Sequence, residues 1–206
     1  MDKVLALIKD ENAVWGSRGH SLIKCPFDVT PMEYIQYAEE DSLELSAKGC
    51  INAFSNAKRA MDSQIDMLLI AFVLNNLAAK KNWNIPRKLE VLNKLGIVAP
   101  RILAKFNKFR NLVEHDFVKP EQEKVEDFID VVLLFIESTK LYLVDFLDDA
   151  EIEVEDKFDY WLGVVIDRES EIVNISYSNT KIELKPNNEH YIEFMKYYVA
   201  VAYRHR

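Results

Sequence analysis

The sequence predicts a mainly α protein: an antiparallel helical bundle followed by a small α+β module of three or four strands and a helix. Three observations carry this reading. Apolar residues recur at helical spacing in four or five segments between Pro31 and Phe146, joined by short connectors. Beyond Asp148 the period shortens to two, as in Ile172-Val-Asn-Ile-Ser-Tyr177 and Lys181-Ile-Glu-Leu184. Glycine and proline are scarce, 5 and 6 in 206 residues, so a loop-rich chain is not expected.

Residues 2–13 pattern as a short amphipathic helix through Val4, Leu5, Leu7 and Ile8. Trp15 to Pro26 holds two glycines and a proline and reads as loop, with His20 as an exposed loop histidine. Residues 1–29 are therefore expected to be an N-terminal helix and loop. Thr30-Pro31-Met32-Glu33 is a helix start: Thr30 caps, Pro31 suits the first turn, and Glu33 closes a capping box. The helical pattern continues almost to Lys81, too long for one globular helix, so a break is expected near Glu40–Ser42 or Gly49. The second piece, 43–81, stacks Ile51, Phe54, Ala57, Met61, Ile65, Leu68, Leu69, Phe72 and Val73 on a core-facing stripe. Arg87–Leu95 is a short helix that Gly96 ends. Pro100 opens the next, and Pro120 heads a strong amphipathic helix over 121–147. These elements make the expected bundle, 30–147. In 148–206, Asp148–Asp156 reads as an acidic linker running into a first strand. Tyr160–Ile166 follows as a strand, then a hairpin turning at Ser178–Thr180, then a helix over Glu189–Tyr203.

Two cysteines, Cys25 and Cys50, have neither metal-ligand nor disulfide spacing. The N-terminus carries acids and is not patterned as a secretory signal. The longest apolar run, Met67–Leu74, is too short to span a bilayer, so no membrane association is expected and the compartment is read as cytoplasmic. Net charge is -8, which disfavours indiscriminate nucleic-acid binding. The charge is unevenly spread. Residues 80–120 hold ten Lys/Arg against three acids, +7, whereas 121–206 hold nine against twenty, -11. The basic window, with Arg101, Lys105, Lys108 and Lys119, is the candidate RNA-binding surface. The acidic C-terminal module is a candidate contact for a protein partner.

The basic window also contains the densest polar cluster, Arg110, Asn111, Glu114 and His115. On a helix of about 100° per residue, Ile102, Phe106, Phe109 and Val113 form the core stripe. Asn111 and His115 then share roughly the opposite side, and Arg110 and Glu114 a flank between them. The histidine thus points away from its own helix's core. No phosphate-cradling glycine loop, zinc-type Cys/His pairing or nucleophile elbow accompanies the cluster, and no metal or cofactor is expected.

Arg110-Asn-Leu-Val-Glu-His115 is an Arg-x4-His motif late in a helical bundle. It resembles the signature of the higher eukaryotes and prokaryotes nucleotide-binding (HEPN) family. Asn52–Leu69 is similar to that family's long early helix, and Lys88–Pro100 to the short helix and turn before the motif; the resemblance covers roughly 30–147. It implies a homodimer whose paired motifs face one cleft, and metal-independent endoribonuclease activity of toxin or defence type. Arg110 would grip the phosphate, His115 act as base or acid, and Asn111 serve as accessory polar residue. The residue types suit the chemistry. Histidine titrates near ~6.5 unperturbed, and the guanidinium fork matches phosphate. Five positions apart on one helix, they diverge by about 140° with a rise of about 7.5 Å, so a second copy relaxes the geometry. Two other readings stand beside this one. Glu114 can pair with Arg110 as an ordinary surface ion pair, leaving His115 at a helix end. The module can also be a non-catalytic dimerisation or adaptor unit that binds a protein or nucleotide.

Overall fold

Thr30 and Glu33 build the predicted capping box in full. The Thr30 hydroxyl accepts from the Glu33 backbone N–H at 3.2 Å, and the Glu33 carboxylate accepts from the Thr30 N–H at 2.8 Å. This cap opens α2, and it belongs to a computed structural model that describes residues 1–97, 120–154 and 161–203. Numbered along those residues, the helices are α1 (Asp2–Ile8), α2 (Pro31–Ser42), α3 (Ala47–Ala71), α4 (Asn75–Lys80), α5 (Ile85–Lys94), α6 (Gln122–Thr139), α7 (Leu141–Val144) and α8 (Tyr191–Ala202). The strands are β1 (Ala13–Ser21), β2 (Phe146–Val154), β3 (Trp161–Asp167), β4 (Ile172–Tyr177) and β5 (Thr180–Leu184).

The fold is α+β, which corrects the expectation of a mainly α bundle with a three- or four-stranded appendage. All five strands form one antiparallel meander in the order β1-β2-β3-β4-β5. The error lies at its first strand. Trp15–Ser21, expected as loop, pairs with β2 from Ala13↔Val154 to Ser21↔Phe146. Asp148–Val154, the described part of the acidic stretch expected as a linker running into a first strand, is already part of β2. Its Ala150, Ile152 and Val154 are buried, while Asp149, Glu151 and Glu153 alternate onto the other face. The same inner face continues through the register pairs Ile152↔Leu162, Val164↔Ile175 and Val173↔Leu184.

The expected break in the long helical stretch falls at Leu43–Ser46, where Ser46 caps α3 by accepting from the Gly49 N–H at 3.0 Å. Gly49 is not the breaker. It sits inside α3, where a Cβ would lie 2.2 Å from the Glu44 carbonyl oxygen, so its role is to let α2 and α3 meet. The second piece ends at Ala71 rather than Lys81. The N–H of Val73 returns to the Ile70 carbonyl and that of Leu74 to the Leu69 carbonyl, with Val73 at φ 57. This is the Schellman ending, usually made with glycine; here a buried β-branched residue is forced into the left-handed region. Asn82 and Gly96 hold the equivalent positions after α4 and α5 in the ordinary way. The helix expected over 121–147 stops at Thr139. A single turn, α7, follows, and Asp145 at φ -146, ψ 55 turns the chain into β2.

The helical and sheet layers interlock at the end of α3. Its last carbonyls cannot bond within the helix. Arg168, just beyond β3, donates to the Ala71 carbonyl at 3.3 Å, and the Tyr191 hydroxyl donates to the Phe72 carbonyl at 2.8 Å. Arg168 also pairs with Asp148, reaches Ser21 Oγ and lies over the Phe146 ring at 4.6 Å. One guanidinium thus ties β1, β2 and α3 together. Helix α8 packs on α1, α5 and β1, with Lys9, the residue after α1, bridging to Glu193 at 2.6 Å. Among the described residues no helix is long and apolar enough to cross a membrane.

Candidate functional site

The residues singled out by sequence, Arg101, Lys105, Lys108, Arg110, Asn111, His115 and Lys119, all lie outside the described residues. The frame on either side is described. α5 is fixed to α3 by Lys88 Nζ on Asp66 Oδ1 at 2.6 Å, and Ile97 beyond it is buried. At the other side, the Gln122 amide at the start of α6 donates to the Ser42 carbonyl at 2.9 Å and accepts from Cys50 Sγ at 3.0 Å. The described chain therefore leaves beside the C-terminal half of α3 and returns near its N-terminal end. Sixteen residues separate Cys50 and Asp66 on α3, about 24 Å of helix.

The described part of the basic window is largely offset by acids. Arg87 and Lys94 both pair with Glu90, at 2.6 and 2.7 Å, and Lys88 with Asp66. Lys94 first, then Arg87, hold the Glu90 carboxyl below its ordinary range. Arg87 also lies over the Trp83 ring at 5.6 Å. So a row of lysines and arginines in sequence is, over α5, a salt-bridged helix surface.

Two clefts adjoin along α3 and share Phe27 and Asp66. One, about 600 Å³, runs between the Pro26–Val29 loop, Tyr34 and the Arg59–Asp66 stretch. The other, about 430 Å³, continues past Ile70 to Asn75, Asn76 and Trp83. Arg59 lies 5.9 Å over the Tyr34 ring. Such a groove offers aromatic faces, amides and charges of both signs, but among the described residues that line it there is no histidine or cysteine able to exchange a proton near neutrality. Among the described residues no group of three or more His, Cys, Asp or Glu is placed to hold a metal ion.

One constellation escaped the sequence reading. His20, expected as an exposed loop residue, is exposed but stands on β1, between a hydroxyl and a carboxylate. Ser17 Oγ lies 2.5 Å from His20 Nε2, and Asp145 Oδ1 lies 2.9 Å from His20 Nδ1. In an unbroken strand, residues three apart face opposite sides. Here the register slips at Arg18, restores itself past Asp148, and so brings Ser17 and His20 together. The carboxylate's backbone is held from α8: the Tyr203 hydroxyl contacts the Asp145 carbonyl at 3.3 Å and the Leu147 N–H at 3.2 Å. The Tyr198 hydroxyl donates to the Leu147 carbonyl at 2.8 Å, and burial raises that phenol so that it stays protonated. The only local signal for this site is the Ser-x-x-His spacing. Asp145 is 125 residues away, so no short window contains the set.

No family model, curated protein or solved structure matches this chain.

Proposed function

We propose that this protein is a metal-independent endoribonuclease of the HEPN type, acting as a homodimer in toxin or defence biology. The observation that carries the reading is the Arg110-Asn-Leu-Val-Glu-His115 spacing immediately before α6 in a helical assembly. Support comes from its setting: α2, α3 and α6 pack mutually, and the chain departs from and returns to α3 on either side of the motif. In this reading Arg110 stabilises the charge building on the phosphorane, while His115 takes the 2′-OH proton or protonates the leaving oxygen. Asn111 orients the imidazole, and Arg101, Lys105, Lys108 and Lys119 hold the RNA backbone.

The test is cleavage of a fluorescent single-stranded RNA in the presence of a chelator. Arg110→Ala and His115→Ala should each lower the rate by ~10²–10⁴-fold with sedimentation and far-UV dichroism unchanged. Equal cleavage by wild type and both variants removes the proposal.

A second reading, an adaptor that binds a basic protein partner, is favoured by one observation. The outward face of the sheet carries Asp149, Glu151 and Glu153 of β2, and Asp149 lines up with Glu183 of β5 through Val165 and Asn174, although Lys181 lies in line with Glu151. Robust dimerisation without any salt-dependent RNA affinity would select it over the nuclease.

A further inference from the structure

The geometry points to a second, independent site: Ser17, His20 and Asp145 form a nucleophilic serine centre that takes a carboxylic ester as substrate. Serine is a weak nucleophile until a neighbouring base accepts its proton, and that base must be held in one tautomer by a third group. All three roles are filled. Asp145 Oδ1, at 2.9 Å, accepts the N–H of His20 Nδ1, which leaves the lone pair on Nε2 facing the Ser17 hydroxyl at 2.5 Å. The arrangement is recognised by roles and geometry; the chain order Ser-His-Asp is no objection.

The site is built rather than incidental. It depends on paired register slips in β1 and β2, on Arg168 bonding Ser21 and Asp148, and on Tyr203 holding the Asp145 backbone. The His20 side chain is 23% exposed and that of Asp145 42%, and Ser17 and His20 both lie on the exposed edge strand β1. Access to Ser17 is open, since the residue is exposed on the edge strand β1. An open rim gives little binding energy with which to distort an amide, so the class that fits is an ester with a good leaving group.

In the first half, Ser17 Oγ bonds to the carbonyl carbon and its proton passes to His20 Nε2. The tetrahedral adduct collapses by breaking the bond to the leaving oxygen, which takes that proton and departs as the alcohol. In the second half, water gives a proton to Nε2 and its oxygen bonds to the acyl carbon. The bond to Oγ breaks, Oγ recovers the proton, and the carboxylic acid leaves. Ester and water are consumed; acid and alcohol are produced.

The experiment treats the full chain with a fluorophosphonate probe and, separately, with a nitrophenyl ester, then maps the adduct by peptide mass spectrometry. The expected adduct is on Ser17, absent in Ser17→Ala, and formed ~10²-fold or more slowly in His20→Gln. Asp145→Asn should slow it by less, because water shares the charge of a partly exposed carboxylate. Mapping on the wild-type chain decides the matter whether or not a variant folds: an adduct elsewhere, or none, overturns the proposal, as does a His20→Gln rate within a few-fold of wild type. RNA is not a reagent here, so this result and the nuclease result stand or fall separately.

Discussion

Gly49→Ala is expected to destabilise the chain by about 2 kcal/mol, although glycine to alanine in a helix ordinarily stabilises by about 1 kcal/mol. The sign is decided by what the new methyl meets. It would sit 2.2 Å from the Glu44 carbonyl oxygen, 2.7 Å from that of Asp41 and 2.9 Å from Glu44 Cβ. Ordinary contact lies about 1 Å or more further out. Two of the three obstacles are backbone atoms already committed to hydrogen bonds: Asp41 accepts from the Glu44 N–H at 3.2 Å, and Glu44 from the Ser46 N–H at 2.6 Å. Overpacking against side chains that can yield costs ~1–3 kcal/mol, and a tied backbone belongs at the top of that range. Subtracting the gain in helix propensity leaves about 2 kcal/mol, or roughly 4–8 °C in Tm for a chain of this size. The assay is a pair of urea and thermal melts followed by far-UV dichroism, with exposed Lys48→Ala in the same turn as control, expected within ~0.5 kcal/mol of wild type. Gly49→Ala matching that control, or exceeding wild type, would refute the close-approach argument.

Three further outcomes are expected. Thr139→Val leaves the buried Gln64 amide without its 2.7 Å partner and should cost ~1–3 kcal/mol. Adding Gln64→Leu should cost less than the sum of the singles by ~1 kcal/mol in a double-mutant cycle of denaturation curves. Arg168→Leu strands a mostly buried Asp148 and uncaps α3, and should lower stability by ~3 kcal/mol in thermal melts, with part recovered on adding Asp148→Asn. Thr30→Ala should cost ~1 kcal/mol at neutral pH. Bonds from the Thr30 hydroxyl and N–H hold the Glu33 carboxyl below its ordinary range. The part from the hydroxyl-to-carboxylate bond is full above the ordinary carboxylate range and disappears as pH falls through the lowered folded value, whereas the cap bond from the Glu33 N–H to the Thr30 hydroxyl persists, so the gap between wild-type and variant melts should narrow in acid without closing.

What the sequence made legible was local. Thr30, Pro31 and Glu33 announce α2 because a capping box needs only four consecutive residues. Ile172–Leu184 announces its hairpin because both strands and the turn are adjacent. Trp15–Ser21 did not announce itself as a strand. It is an edge strand with two glycines and polar residues on both sides, and its partner lies at the far end of the chain. β2 was hidden by its acids, which are outward-facing positions of an alternating strand rather than a linker. His20 is exposed as expected, but it lies on a strand rather than a loop, and its neighbour Asp145 reaches it only through that non-local pairing. Of the other candidate site, with Arg110, Asn111 and His115, the structure describes only the flanking helices.

The pairing of Ala13 with Val154 sets an order of events during synthesis. β1 emerges before β2, with Val154 translated roughly 7–28 s after Ala13 at ~5–20 residues per second. Until then it waits as an unzipped edge, exposed to any other extended segment in reach. A nascent chain stalled before β2 is complete should therefore be a target for chaperones or aggregation, and residues 146–154 are needed to close the first strand of the sheet.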